Sequence, residues 1–82
     1  MTTITTEQVE QVVHEALESF GADPSAFTRD TRLQSLDIDS LDLAELSQIV
    51  DERFGVVLKG EDMKRISTIG DAVDTIVARL ST

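Results

Sequence analysis

Eighty-two residues with sixteen acids, seven bases, one histidine and no cysteine give a formal charge of −9. A chain of that size closes around one modest core as a single domain, with no disulfide or thiolate metal site to reinforce it and no thiol nucleophile of its own. The charge repels nucleic-acid phosphates and anionic lipid and favours basic patches on protein partners. No apolar run reaches bilayer length, and "MTTITTEQVE" has neither a basic stretch nor an apolar signal core, so the expected setting is cytoplasmic and away from membranes.

In chain order, Val9, Val12, Val13, Ala16, Leu17 and Phe20 recur at the spacing of one helix face, with Glu7, Gln8, Glu10, Gln11, His14, Glu15 and Glu18 opposite. Thr5 and Gln8 have capping-box spacing, and Gly21 is a natural stop. The stretch from Gly21 to Asp39 holds the only proline, Pro24, and shows no sustained period. It is expected to be a long connection pinned over the end of a bundle by Phe27, Leu33 and Leu36, and connections this long usually have a functional role. A second helix begins at Ser40, turns Leu43, Leu46, Ile49, Val50 and Phe54 inward, and ends at Gly55. "GEDMKRIS" (60–67) forms one or two helical turns anchored by Met63 and Ile66. Thr68 and Asp71 cap a last helix whose face is Ile69, Ala72, Val73, Ile76, Val77 and Leu80. The expected fold is all-α: a small four-helix bundle of three main helices and one short one, with a long loop between the first two.

Conventional catalysis is hard to assemble from this inventory. His14 falls on the polar face of the first helix, as a solvated surface histidine would, and a thiol–imidazole pair or a zinc site lacks its ligands. "DIDSLD" fails as a calcium loop begun at Asp37, because Leu41, Asp42 and Gln48 stand where an oxygen ligand, a glycine and a glutamate are required. Asp37 and Asp39 lack an apolar enclosure to tune them for acid–base work, and read better as a loop acid and a cap.

Asp39 fits the N-cap of the second helix, with Asp42 in its first turn facing the positive end of the dipole. With the cap filled, Ser40 is left without a structural task. A hydroxyl at a helix N-terminus lies beside backbone N–H donors, a position suited to a covalently attached phosphate group.

The segment "LDIDSLDLAEL" resembles the attachment motif of acyl carrier proteins, centred on Asp-Ser-Leu at the start of the second helix. The likeness continues through "DERFGVVLKGEDMKRISTIGDAV", and length, acidity, long first loop and absence of cysteine agree with it. The resemblance implies that the chain is a carrier and no enzyme. It implies that Ser40 receives 4′-phosphopantetheine from coenzyme A through a phosphopantetheinyl transferase, and that the arm's thiol carries acyl groups as thioesters. It assigns Asp39, Leu41, Asp42, Glu45 and Gln48 to a face read by basic patches on ketosynthase, acyltransferase and other synthase partners, with Asp51 and Glu52 at its margin. From Asp37 to Phe54 six acids meet one base, Arg53. Leu46, Val50, Phe54, Ile66, Ile76 and Val77 become the core against which an acyl chain rests. Two departures stand out: Asp37 occupies a site that is glycine in many relatives, and Gln48 one that is often apolar. The resemblance leans toward a free-standing, monomeric carrier of a dissociated polyketide, antibiotic or specialised lipid synthase over housekeeping fatty acid synthesis, and away from peptidyl carriers. The rivals are an acidic helical adaptor that carries nothing and a small enzyme acting through Ser40.

Overall fold

The computed structural model describes residues 4–80. Four α-helices, α1 (Thr6–Ser19), α2 (Ser40–Phe54), α3 (Gly60–Arg65) and α4 (Ile69–Leu80), surround one core, and α1 packs against both α2 and α4.

The helix boundaries follow from local chemistry. The Thr5 hydroxyl accepts from the Gln8 N–H at 3.2 Å while the Gln8 side chain accepts from the Thr5 N–H at 2.8 Å, so the expected capping box is complete. Past the other end of α1, Gly21 takes φ +98°, a left-handed conformation that favours glycine. Gly55 ends α2 in the same way, with φ +70° and its N–H on the Asp51 carbonyl at 2.8 Å. At the start of α4 the Asp71 N–H donates to the Thr68 hydroxyl at 3.0 Å and the Thr68 N–H to the Asp71 carboxylate at 3.1 Å.

The core is built from Val9, Val13, Ala16 and Leu17 of α1, Leu46 and Val50 of α2, and Ile69, Ala72, Val73 and Ile76 of α4. Leu33, Ile38, Val56, Leu58 and Ile66 close it from the connections. Three of these, Ile38, Val56 and Leu58, escape a periodicity argument because they lie outside regular helix. Within α2 only Leu46 and Val50 are fully buried, whereas Leu43, Ile49 and Phe54 are half-buried at the edges of the core.

The connection from Gly21 to Asp39 is more ordered than its lack of period suggests. It contains 3₁₀ turns at Pro24–Ala26 and Leu33–Leu36. Asp23 caps the first by accepting from the Ser25 N–H at 3.0 Å, with Pro24 at the first turn position where no N–H is needed. The chain is then zipped to the start of α4. The Gly70 N–H donates to the Arg29 carbonyl at 2.9 Å, the Ile69 N–H to the Thr31 carbonyl at 3.0 Å, and the Leu33 N–H to the Ser67 carbonyl at 3.0 Å. Arg29 also binds Asp74 on α4 with both N–H···O distances at 2.7 Å.

The expectation of a solvated histidine is corrected here. His14 is half-buried, its ring tilted against Phe27 with centroids 5.1 Å apart. Position on a helix says nothing of a loop folding back over it, and Phe27 does so.

Candidate functional site at the start of the second helix

Asp39 is in extended conformation and caps α2: its carboxylate accepts from the Asp42 N–H at 3.0 Å. The Asp42 carboxylate reaches back to the Asp39 N–H at a longer 3.4 Å. Two acids thus form a reciprocal box in which the dipole favours both charges. Just upstream, Asp37 sits at φ +61°, in the left-handed region, and lets the chain reverse between the 3₁₀ turn and Ile38.

Ser40 is the first residue of α2 and is exposed. Its hydroxyl has no hydrogen-bond partner among the described residues, and neither do the N–H groups of Ser40 and Leu41. The other described serines differ. The hydroxyls of Ser19 and Ser35 donate to the Ala16 and Arg32 carbonyls, those of Ser25 and Ser67 to the Asp23 and Asp71 carboxylates, and Ser47 is half-buried within α2. Ser40 is the exposed, unengaged one.

A cleft of about 570 Å³ opens beside it. Leu33, Ile38, Leu43 and Ile66 supply its apolar lining, with Arg32 and Ser67 at its polar margin. Periodicity gave no hint of this grouping, which is assembled from four separate segments. The residues fit a covalently held phosphopantetheine: a free hydroxyl, two unused N–H donors beside it and a partly apolar trough alongside. They fit a loosely bound anion poorly, because Asp37, Asp39 and Asp42 surround the same helix end.

Along α2, Leu41, Glu45, Gln48 and Glu52 are all exposed at a spacing that places them on one stripe. Leu41 is 76 % exposed, an unusual state for a leucine. Asp51 is exposed at the flank of the stripe. Asp39 and Asp42 stand apart from it, their carboxylates held in the capping box. Val57, 62 % exposed, is a second outward apolar residue, in the α2–α3 connection.

Sequence reasoning did not find the ion pair that holds α3. Asp62 is only 8 % exposed, yet its carboxylate accepts from the Lys59 N–H at 3.0 Å and from the Arg79 guanidinium of α4 at 2.8, 3.0 and 3.1 Å. The Lys59 N–H, then Arg79, hold its carboxyl below the ordinary aspartate range. Asp71 is lowered too, by the Ser67 hydroxyl first and then by the Ser67 and Thr68 N–H groups.

Among the described residues no cluster of potential ligands has the makings of a metal site, and no helix is long and apolar enough to cross a membrane.

Residues 7–76 match the family of the phosphopantetheine attachment site. The acyl carrier protein of Thermotoga maritima is 39 % identical over 64 residues, covering 77 % of this chain and 79 % of that protein. That of Rickettsia canadensis is 33 % identical over 79 residues, covering 94 % and 92 %. The crystal structure of a Thermotoga maritima acyl carrier protein superposes with a TM-score of 0.75 at 21 % identity, over 92 % of this chain and 88 % of that one, and so shares the fold. On the family match and these relatives together, the chain belongs to the acyl carrier protein family: a carrier and not an enzyme, bearing 4′-phosphopantetheine in covalent linkage, loaded by a phosphopantetheinyl transferase and read by synthase enzymes.

Proposed function

We propose that Ser40 is the residue that bears the arm, and that the chain is a single-domain, free-standing, monomeric carrier serving a dissociated synthase. The observation that carries this reading is the state of the hydroxyl: exposed and unengaged at the head of α2, where other described serines are hydrogen-bonded or half-buried. The reciprocal box between Asp39 and Asp42 supports it, because the cap is complete without Ser40. When bound, the arm supplies the thiol that a cysteine-free chain lacks. The Ser40 and Leu41 N–H groups would be free to donate to its phosphodiester, and the cleft walls would offer apolar surface to what it carries.

Leu41, Glu45 and Gln48 form the docking stripe, an exposed apolar contact followed by acidic and amide groups for a basic partner surface. Asp39 and Asp42 act on docking through the helix start they hold in place. Gln48 makes this face less uniformly acidic, which supports service in polyketide or specialised lipid assembly over housekeeping fatty acid synthesis.

Incubation with coenzyme A, magnesium and a broad-specificity phosphopantetheinyl transferase tests the attachment. The intact mass of the wild type should rise by one arm, and that of Ser40→Ala should not change although the variant folds. Malonyl-loaded protein should support condensation by a polyketide ketosynthase faster than by a fatty acid ketosynthase, and the reverse order contradicts the pathway assignment.

A further inference from the structure

Asp62 is the one buried charged residue among those described, and burying a carboxylate is costly unless it is paired and hydrogen-bonded. Here it is both: it takes the Lys59 N–H at the N-cap of its own helix and the guanidinium of Arg79, near the last residue of α4. An apolar side chain would join α3 to α4 at least as stably. An ion pair differs in how it opens. Arg79 is already partly exposed, so its guanidinium can leave for water, while the Asp62 carboxylate, its side chain 11 % exposed, keeps the Lys59 N–H. The contact is firm when closed and separable.

What the contact holds is α3, whose body stands outside the cleft but leads directly into Ile66 on its lining. α3 has six residues, too few to be stable alone, and apart from Asp62 only half-buried Met63 ties its body to the core. The residue that ends α3 is Ile66, which lines the cleft beside Ser40, followed by Ser67. Ser67 is fixed independently, its carbonyl taking the Leu33 N–H and its hydroxyl and N–H both donating to Asp71. Ser67 is therefore pinned to α4 and the first connection, whereas Ile66 is placed from its other side by α3, which Asp62–Arg79 fixes.

We propose that the Asp62–Arg79 pair is a positioning latch that keeps α3 in place, and through it Ile66 on the lining of the Ser40 cleft, and so sets how well an apolar acyl chain is sheltered there. The inference rests on attachment at Ser40, but the latch itself is readable without any arm. Amide hydrogen exchange of the unloaded protein should be at least threefold faster over residues 60–66 in Asp62→Asn and Arg79→Gln than in the wild type, with α1 unchanged and Arg79→Lys close to wild type. For the cargo, protein loaded from octanoyl- or acetyl-coenzyme A is treated with hydroxylamine, which cleaves the thioester. The octanoyl form should be cleaved more slowly than the acetyl form in the wild type. Both latch variants should lose that protection at least threefold while acetyl cleavage stays the same.

Val13→Ala in α1, as a destabilised control, should keep the octanoyl protection, which separates the latch from general loss of stability. Wild-type exchange over 60–66 in both variants overturns the latch. Faster exchange with intact octanoyl protection overturns its role in sheltering cargo. Failure to load at Ser40 overturns the attachment instead, and leaves the exchange result standing.

Discussion

At the scale of single residues, Ser40 owes its availability to its neighbours. A serine before a helix usually serves as the cap, and here Asp39 has taken that place. Asp39→Ala should therefore cost about 1 kcal/mol of stability, the usual worth of an N-cap, measurable in urea unfolding, and Ser40→Ala should fall within about 0.5 kcal/mol of wild type, as exposed substitutions do. Equal losses in the two variants would mean that Ser40 shares the capping. Asp37 at φ +61° occupies left-handed backbone, which is strained for most side chains, merely tolerated by aspartate and free for glycine. Asp37→Ala should be the less stable variant by about 1 kcal/mol relative to Asp37→Gly, read from the same unfolding curves. The place of Ser40, first in α2 and outside the cap, was legible from the sequence because Asp39 fills the cap and leaves a residue over. The cleft was not, since Leu33, Ile38 and Leu43 stand five residues apart, a spacing that matches no helix face or strand, and Ile66 comes from a distant segment.

At the scale of elements, legibility tracked one-sided burial. α1 and α4 each lay a continuous stripe on the core, so period alone located them, and the Thr5–Gln8 and Thr68–Asp71 boxes fixed their starts. The 3₁₀ turns of the first connection are too short to show a period; α3 was legible from its anchors Met63 and Ile66, but not its ion pair to a residue 17 positions away. The zipper between that connection and α4 depends on close approach at Gly70, where an added Cβ would lie 2.9 Å from the Arg29 carbonyl oxygen. Gly70→Ala should cost about 1–3 kcal/mol through overpacking and speed amide exchange at Ile69 and position 70; an unchanged exchange rate would show that the backbone yields freely. Element starts also set the response to acid. Asp23, Asp62 and Asp71 all have lowered pKa values in the folded state, each held by N–H or hydroxyl donors. The folded state binds their protons less readily than the unfolded state, so their stabilisation is present above the ordinary aspartate range and is lost as pH falls through their folded values. Asp71→Asn, lacking one such group, should show a shallower loss of stability between about pH 5 and 2 than the wild type, and a parallel curve would contradict the assignment.

At the scale of the whole molecule, a charge of −9 sits on a small core, with six acids and one base between Asp37 and Phe54. The described ion pairs, Arg29–Asp74, Arg29–Glu10, Arg53–Glu15 and Arg79–Asp62, join α1 and α4 to their neighbours and leave most of the α2 acids facing solvent. Self-repulsion follows, and moderate salt or magnesium should raise the melting temperature; a flat response would mean that the acids are too well spaced to interact. That excess charge is the field a basic partner meets, with Leu41 as the apolar contact at its head. The same molecule contains no cysteine, so a thiol can come only from what is attached to it. Titration of thiols before and after treatment with coenzyme A and a phosphopantetheinyl transferase, with the site mapped by fragmentation, tests the central claim most directly. The count should rise from none to one per chain, with the adduct on Ser40 and no gain in Ser40→Ala; a folded chain that stays without a thiol, or carries the adduct on another residue, contradicts it.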